Sequence, residues 1–199
     1  MEKLGFNIVL IGMIASGKET QANILKKKYV LKFVESGVYC RKLLKEKSSN
    51  GDWTRRTTGK GKPLPTILLQ KFLIREINNK PKDKDLLFLG NPRLKPEAQL
   101  VKKILNLKDQ DFLVLYITLP DKEVYKRSLK RMTSNMKAIY KVFDTKKLIG
   151  VRIKWHKDQV GKTVKYFEGL NKLKTINGNQ SVLKVTKDIV KAIEEYKNR

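Results

Sequence analysis

Cysteine and histidine are nearly absent: the 199 residues hold one of each, Cys40 and His156. One thiol excludes an intrachain disulfide, and one thiol with one imidazole excludes a Cys/His-ligated zinc site. No apolar run approaches the roughly 18 residues that a bilayer-spanning helix requires. Residues 1–7 are too short and too polar to serve as a signal segment ahead of the first strand. Acidic residues are also scarce, 19 against 45 Lys and Arg, which leaves a net charge of +26. Such a field favours polyanions: nucleotides, nucleic acids, acidic surfaces. Arginine is rare too, with nine residues (Arg41, Arg55, Arg56, Arg75, Arg93, Arg127, Arg131, Arg152 and Arg199), so the excess is lysine. Lysine spread evenly, without interleaved aromatics, reads first as solvated surface and second as a non-specific nucleic-acid contact. A monomeric, cytoplasmic protein with no membrane partner is expected. Its 40% hydrophobic content suffices for the core of one domain.

The apolar pattern alternates short continuous runs with helical periods. Residues 6–11 (FNIVLI) read as a strand buried on both faces, and 31–34, 86–89 (LLFL), 112–119 (FLVLYITL) and 173–176 as four further strands. Helices are expected at 20–29, 38–45, 65–77, 96–105, 121–132, 145–156 and 163–170. A last helix is capped by Ser181, with Val182, Val185, Ile189 and Ile193 on one side. Residues 48–65 are polar and glycine-rich and read as an exposed loop, and 133–144 lacks a clean period and reads as a mobile segment. Strands alternating with helices imply an α/β fold in three layers, α/β/α, around a five-stranded parallel sheet.

Directly after the first strand stands Gly12-Met13-Ile14-Ala15-Ser16-Gly17-Lys18, a G-x-x-x-x-G-K loop, followed by Glu19 and Thr20. Glycines let the backbone curl until its N–H groups converge on phosphate oxygens, and the following helix adds its positive dipole end. Lysine at the end of the loop bridges the β- and γ-phosphates. The bare pattern is expected on the order of 0.1 times in a random chain of this length, and its place between strand and helix raises its weight. The fold is therefore of the P-loop NTPase type. A GTPase would carry Asn-Lys-x-Asp, and the nearest match, Asn79-Lys80-Pro81-Lys82, lacks the acid.

The runs GMIASGKETQANILKKKY, FVESGVYCRKLL, GKPLP and LLFLGNPRLKPEAQ resemble the adenylate kinase family in order and spacing. The C-terminal VRIKWHKDQVGKTVKYFEGLNKLKTINGNQSVLKV is similar to its bacterial nucleoside monophosphate kinase branch, and the likeness spans residues 6–193. The resemblance implies transfer of the γ-phosphoryl of ATP to a nucleoside monophosphate, giving ADP and a nucleoside diphosphate. It implies an ATP cradle of Gly12, Met13, Ile14, Ala15, Ser16, Gly17, Lys18, Glu19 and Thr20. Hydrated Mg²⁺ would arrive with ATP near Thr20, without protein ligands. On the acceptor side it implies Ser36, Gly37, Arg41, Gly90, Arg93 and Glu97. Arg127, Arg131 and Arg152 would close over the transferring group with Lys18 and Arg93, Arg131 also touching ATP. A helical acceptor-binding insertion is implied at 38–77 and a short lid at 133–144, where Lys141 replaces an arginine and Asp144 has Phe143 in place of its acidic partner.

Physical chemistry supports such a set. Bringing two nucleotides together crowds negative charge, so catalysis rests on positioning and cationic neutralisation without a nucleophilic side chain. Arginine forks grip two phosphate oxygens at once. Two departures stand out. Leu89 occupies the position where the family has a magnesium-orienting Asp, which leaves Asn91, Asp85 or Glu35 to help, or a weakened enzyme. Glu97 replaces the base-reading Gln and cannot donate to adenine N1, so a guanine or cytosine edge fits at least as well as adenine. Two other readings stay open: a kinase-fold protein that binds RNA or ribosomes through its basic surface, and a P-loop kinase for another small acceptor. His156 and Cys40 are expected to pack, and Trp53 with Arg55 and Arg56 to cover the acceptor site from the 48–65 loop.

Overall fold

Every residue of the first strand, β1 (Asn7–Gly12), is buried, as the continuous apolar run requires of a strand covered on both faces. A computed structural model describes residues 1–58, 63–133 and 145–199. In it β1 is the centre of an all-parallel sheet of order β2-β3-β1-β4-β5. The other strands are β2 (Leu31–Glu35), β3 (Asp85–Leu89), β4 (Phe112–Thr118) and β5 (Leu173–Asn177). The chain winds outward from β1 to β2, returns through β3, and crosses β1 to reach β4. The direction reverses at β1, and open α/β sheets form their ligand crevice at such a reversal, beyond the carboxyl ends of the strands.

Strand alternation divides the core in two. Ile8 and Leu10 point to one face, where α1 (Lys18–Lys28) and the C-terminal helix contribute Ala22, Leu25, Ile189 and Ile193. Val9 and Ile11 point to the other, against Phe72 and Leu73 of α4 (Thr66–Asn78), Val101 of α5 (Lys95–Asn106) and Phe167. A smaller cluster of Met13, Leu119, Val124, Ile149 and Ile153 lies beside the phosphate loop. There α6 (Asp121–Thr133) meets α7 (Lys146–Trp155).

The structure corrects several expectations. Residues 48–65 are not all loop: α3 (Ser49–Thr57) follows α2 (Ser36–Lys45). Ser48 caps α3 by accepting from Gly51 N at 3.1 Å, a bond worth about 1 kcal/mol. Gly51 reads as a loop residue but is the crossing point of two helices. A Cβ there would lie 2.2 Å from the Glu46 carbonyl, a contact no side chain tolerates. Trp53 is therefore an exposed helical residue. The two helices expected at 145–156 and 163–170 form one rod, in which α7 runs through a π-helical turn (His156–Val160) into α8 (Gly161–Glu168). On the last helix, α9 (Val182–Lys197), Ser181 caps as expected, accepting from Lys184 N, but Val182 is half exposed. The buried face is Val185, Ile189, Ala192, Ile193 and Tyr196. Of the lid expected at 133–144, Thr133 ends α6, and residues 134–144, with Lys141, Phe143 and Asp144, lie outside the described residues. Among the described residues no helix is long and apolar enough to cross a membrane.

Candidate functional site

The loop between β1 and α1 begins with a steric demand. Gly12 lies so close to β4 that a Cβ would meet the Ile117 carbonyl oxygen at 2.5 Å. Met13 N then donates to that carbonyl at 3.0 Å, and the Met13 side chain is buried in the cluster under α6 and α7. Ala15 (φ 57°) and Gly17 (φ 87°) are left-handed and fold the chain back on itself. Alternation of hands of this kind turns successive N–H groups inward, forming an anion-binding concavity. Gly17 is the N-cap of α1, and no side chain caps that helix. Its first-turn N–H groups and dipole are therefore presented to the loop.

Lys18 curls into this concavity. Its Nζ donates to the Gly12 carbonyl at 2.9 Å and the Met13 carbonyl at 2.6 Å, and lies 3.3 Å from Ser16 Oγ. Burial, and then the charges of Arg93, Arg131 and Arg152, lower its pKa to about 7. Three expected arginines thus converge electrostatically on the expected lysine. Arg127 does not join them: its Nε donates to Glu123 on the same helix at 3.0 Å. Arg131 Nη2 lies 3.4 Å from the buried Ser128 hydroxyl.

The acceptor side is assembled by β3 and α2. Gly90 N donates to the Leu10 carbonyl, which sets the β3 exit beside the phosphate loop. Asn91 is fully buried, and its Nδ2 donates to the carbonyls of Val34 and Leu89, both at 3.1 Å, joining the ends of β2 and β3. Arg93 then turns back, its Nε donating to the Gly90 carbonyl at 2.8 Å. Its outer edge stays exposed, while surrounding protein and then the Arg152 charge push its pKa below the usual arginine value. On α2 the absent side chain of Gly37 leaves room for Arg41, whose Nη1 would lie 3.3 Å from a Cβ there. The Cys40 thiol feels both Arg41 and Arg93; burial dominates and raises its pKa, so it is an inert packing group. Ser36 opens α2 at the end of β2.

Glu97 has a local duty that the sequence reading did not give it. It is 2% exposed, and its Oε2 accepts from Arg93 N at 2.8 Å and Leu94 N at 3.0 Å. Through that oxygen the carboxylate caps α5, a local duty of Glu at the third helical position. Burial raises its pKa against the pull of those N–H groups. Asp85 is displaced from the site. It begins β3, at the opposite end of the sheet, and its Oδ2 accepts from Leu4 N and Gly5 N at 2.8 and 3.1 Å. Leu89 and Glu35 are partners in register at the carboxyl ends of β3 and β2.

Two more residues border the site: Thr163, which went unassigned in the sequence, and His156, which was expected to pack. Thr163, buried on α8, donates through Oγ1 to the Arg93 carbonyl at 2.8 Å. His156, 7% exposed in the π-helical turn, lies with Nε2 3.4 Å from Tyr116 Oη, the rings inclined by 12°. Burial, then the charges of Lys18 and Arg93, lower its pKa to about 3, so it is neutral beside the cationic cluster. No local pattern marks either residue, because both partners are distant in sequence.

A β1–loop–α1 phosphate cradle at the sheet reversal, facing a set of guanidinium groups, defines the P-loop nucleotide-binding class. Among the described residues no group of three His, Cys, Asp or Glu could hold a metal ion. The adenylate kinase family model matches residues 10–172, and the chain belongs to that family. It is similar to the adenylate kinase of Parabacteroides distasonis, 28% identical over 96% of this chain and 99% of the relative. The adenylate kinase of Bacteroides fragilis is 27% identical over 94% of this chain and 98% of the relative. That of Fusobacterium nucleatum is 23% identical, over 96% and 99%. Membership makes the chain a phosphotransferase of the nucleoside monophosphate kinase kind.

Proposed function

We propose that the chain transfers the γ-phosphoryl group of MgATP to a nucleoside monophosphate held by Arg41 and Arg93. The observation that carries this reading is the β1–α1 loop, curled by left-handed Ala15 and Gly17 around the Lys18 ammonium, with Arg93, Arg131 and Arg152 near enough for their charges to act on it. An oxygen of the acceptor phosphate attacks the γ-phosphorus in line. That bond forms as the bond from γ-phosphorus to the β,γ-bridging oxygen breaks, and ADP leaves with the released charge. Lys18, withdrawn from its own loop carbonyls, neutralises that charge, and Arg152 and Arg131 stabilise the transferring group. Magnesium enters as part of the substrate, carried by the phosphates and their waters, with the Thr20 hydroxyl at its border. Glu97 Oε2 is committed to the backbone, and a carboxylate there cannot donate to adenine N1, so the position does not favour adenine over other bases.

The test is coupled detection of ADP formation with AMP, GMP, CMP, UMP and dTMP in turn. Transfer to at least one acceptor, abolished in Lys18→Ala with the fold retained, is expected. Full transfer by that variant would overturn the assignment. The +26 charge favours a second activity, non-specific binding of RNA. It predicts an affinity that falls steeply with salt, and a salt-independent affinity would exclude it.

A further inference from the structure

We infer that Glu97 and Thr163 are positioning residues that hold Arg93 in register for the acceptor phosphate, an inference resting on the function proposed above. Arg93 is gripped at three points. Its N–H is held by Glu97 Oε2 at 2.8 Å, its carbonyl by Thr163 Oγ1 at 2.8 Å, and its Nε by the Gly90 carbonyl at 2.8 Å. Both anchoring side chains are almost wholly buried. With Nε committed, the remaining guanidinium N–H groups on the two Nη atoms are left to meet phosphate oxygens.

The grip answers a physical difficulty. Burial and then the like charge of Arg152 depress the pKa of Arg93, and the repulsion between two like charges works against a fixed spacing. Thr163 belongs to the same helical rod as Arg152, so its bond to the Arg93 carbonyl ties the backbone of one arginine to the element bearing the other. Glu97 supplies the second tie and a buried negative charge that favours the Arg93 cation. Leu94, at the N-cap of α5, has no side-chain acceptor, so only Glu97's half of a capping box exists. The same oxygen that begins α5 therefore fixes Arg93. Arginine carries a large rotamer entropy in free form, and pre-ordering it lowers the cost of closing on phosphate.

The experiment uses the full chain with Glu97→Leu, Glu97→Gln, Thr163→Val and the Leu/Val double variant. Steady-state kinetics with each accepted monophosphate and calorimetric titration of the monophosphate are read together. Glu97→Leu and Thr163→Val are expected to lower kcat/KM for every acceptor by about tenfold or more, with KM for ATP little changed and the ranking of bases intact. Their effects should be less than additive in the double variant, because both act on one residue. Glu97→Gln, which still offers an acceptor oxygen, should stay within about threefold of the parent. A reordered base ranking in Glu97→Gln would make residue 97 a base reader and overturn the inference. So would Glu97→Leu and Thr163→Val proteins with a lower Tm but parental kinetics. Should the parent transfer to no acceptor, the proposed function fails, and calorimetry still decides the grip: unchanged monophosphate affinity in both single variants refutes it.

Discussion

Lys18 Nζ lies 2.6 Å from the Met13 carbonyl oxygen, so the loop that cradles phosphate first cradles its own lysine. The ammonium is satisfied by carbonyl dipoles yet crowded by burial and by three arginines, which brings its pKa to about 7. A triphosphate reverses that balance, since its charge favours the ammonium. Above pH 7 the site must therefore take up a proton as ATP binds. Calorimetry at pH 8 in two buffers of different ionisation enthalpy should give binding enthalpies that differ in proportion. Equal enthalpies would show that Lys18 is already fully charged.

His156 supplies the opposite experiment, on stability. Its pKa of about 3 in the folded state lies below the ordinary value of 6.5. The unfolded chain therefore binds more protons between those values, and stability falls as pH drops from about 6.5 toward 3. At pH 4 the loss from this one group is roughly 3 kcal/mol relative to neutral pH. Urea unfolding at pH 7 and pH 4 should show a smaller acid loss in His156→Gln than in the parent. Equal losses in the two proteins would mean that the imidazole already accepts a proton where it lies.

Gly12 and Gly161 separate two uses of glycine. Gly12→Ala forces a Cβ to within 2.5 Å of the Ile117 carbonyl, and neither strand can yield without breaking the sheet. A loss of about 3 kcal/mol or more, with loss of triphosphate binding, is expected. Gly161 begins α8 with open space where a Cβ would stand, no other atom lying within 4 Å, so Gly161→Ala should raise stability by about 0.5–1 kcal/mol. Thermal unfolding of both variants checks the contrast, and a tolerated Gly12→Ala would refute the stated contact.

Gly51 marks the boundary of what could be read from residues alone. The central strands were legible because a parallel strand covered on both faces is almost continuously apolar, as β1 and β4 are, and the partly buried edge strands β2 and β5, each carrying a lysine, by their place in the strand–helix alternation. The phosphate loop was legible because its steric and electrostatic demands fall within seven consecutive residues. Helix α3 was not, since Gly51 and its polar neighbours carry the composition of a loop. Only the crossing over the Glu46 carbonyl explains that glycine. The capping duty of Glu97 went unread because the likeness to a base-reading position outweighed a local rule, that Glu at the third helical position caps its own helix. The bond from Thr163 to Arg93 spans 70 residues, and one sequence carries no trace of such a pair.

Leu89 invites a gain-of-function test. It ends β3 between Leu10 of β1 and Glu35 of β2, partly buried beside the phosphate loop. A leucine there can neither accept from magnesium-bound water nor supply a negative charge. Leu89→Asp should therefore raise kcat at limiting magnesium by several-fold, since a fixed carboxylate orients the hydrated ion on the phosphates. The replacement also removes an apolar contact from the core beside β1, at a cost of about 1–2 kcal/mol. Rate should rise while Tm falls, a pairing that general stabilisation cannot produce. Kinetics titrated with magnesium, alongside thermal unfolding, read both quantities. A variant with lower Tm and unchanged magnesium dependence would show that the site draws its ion geometry wholly from ATP and its waters.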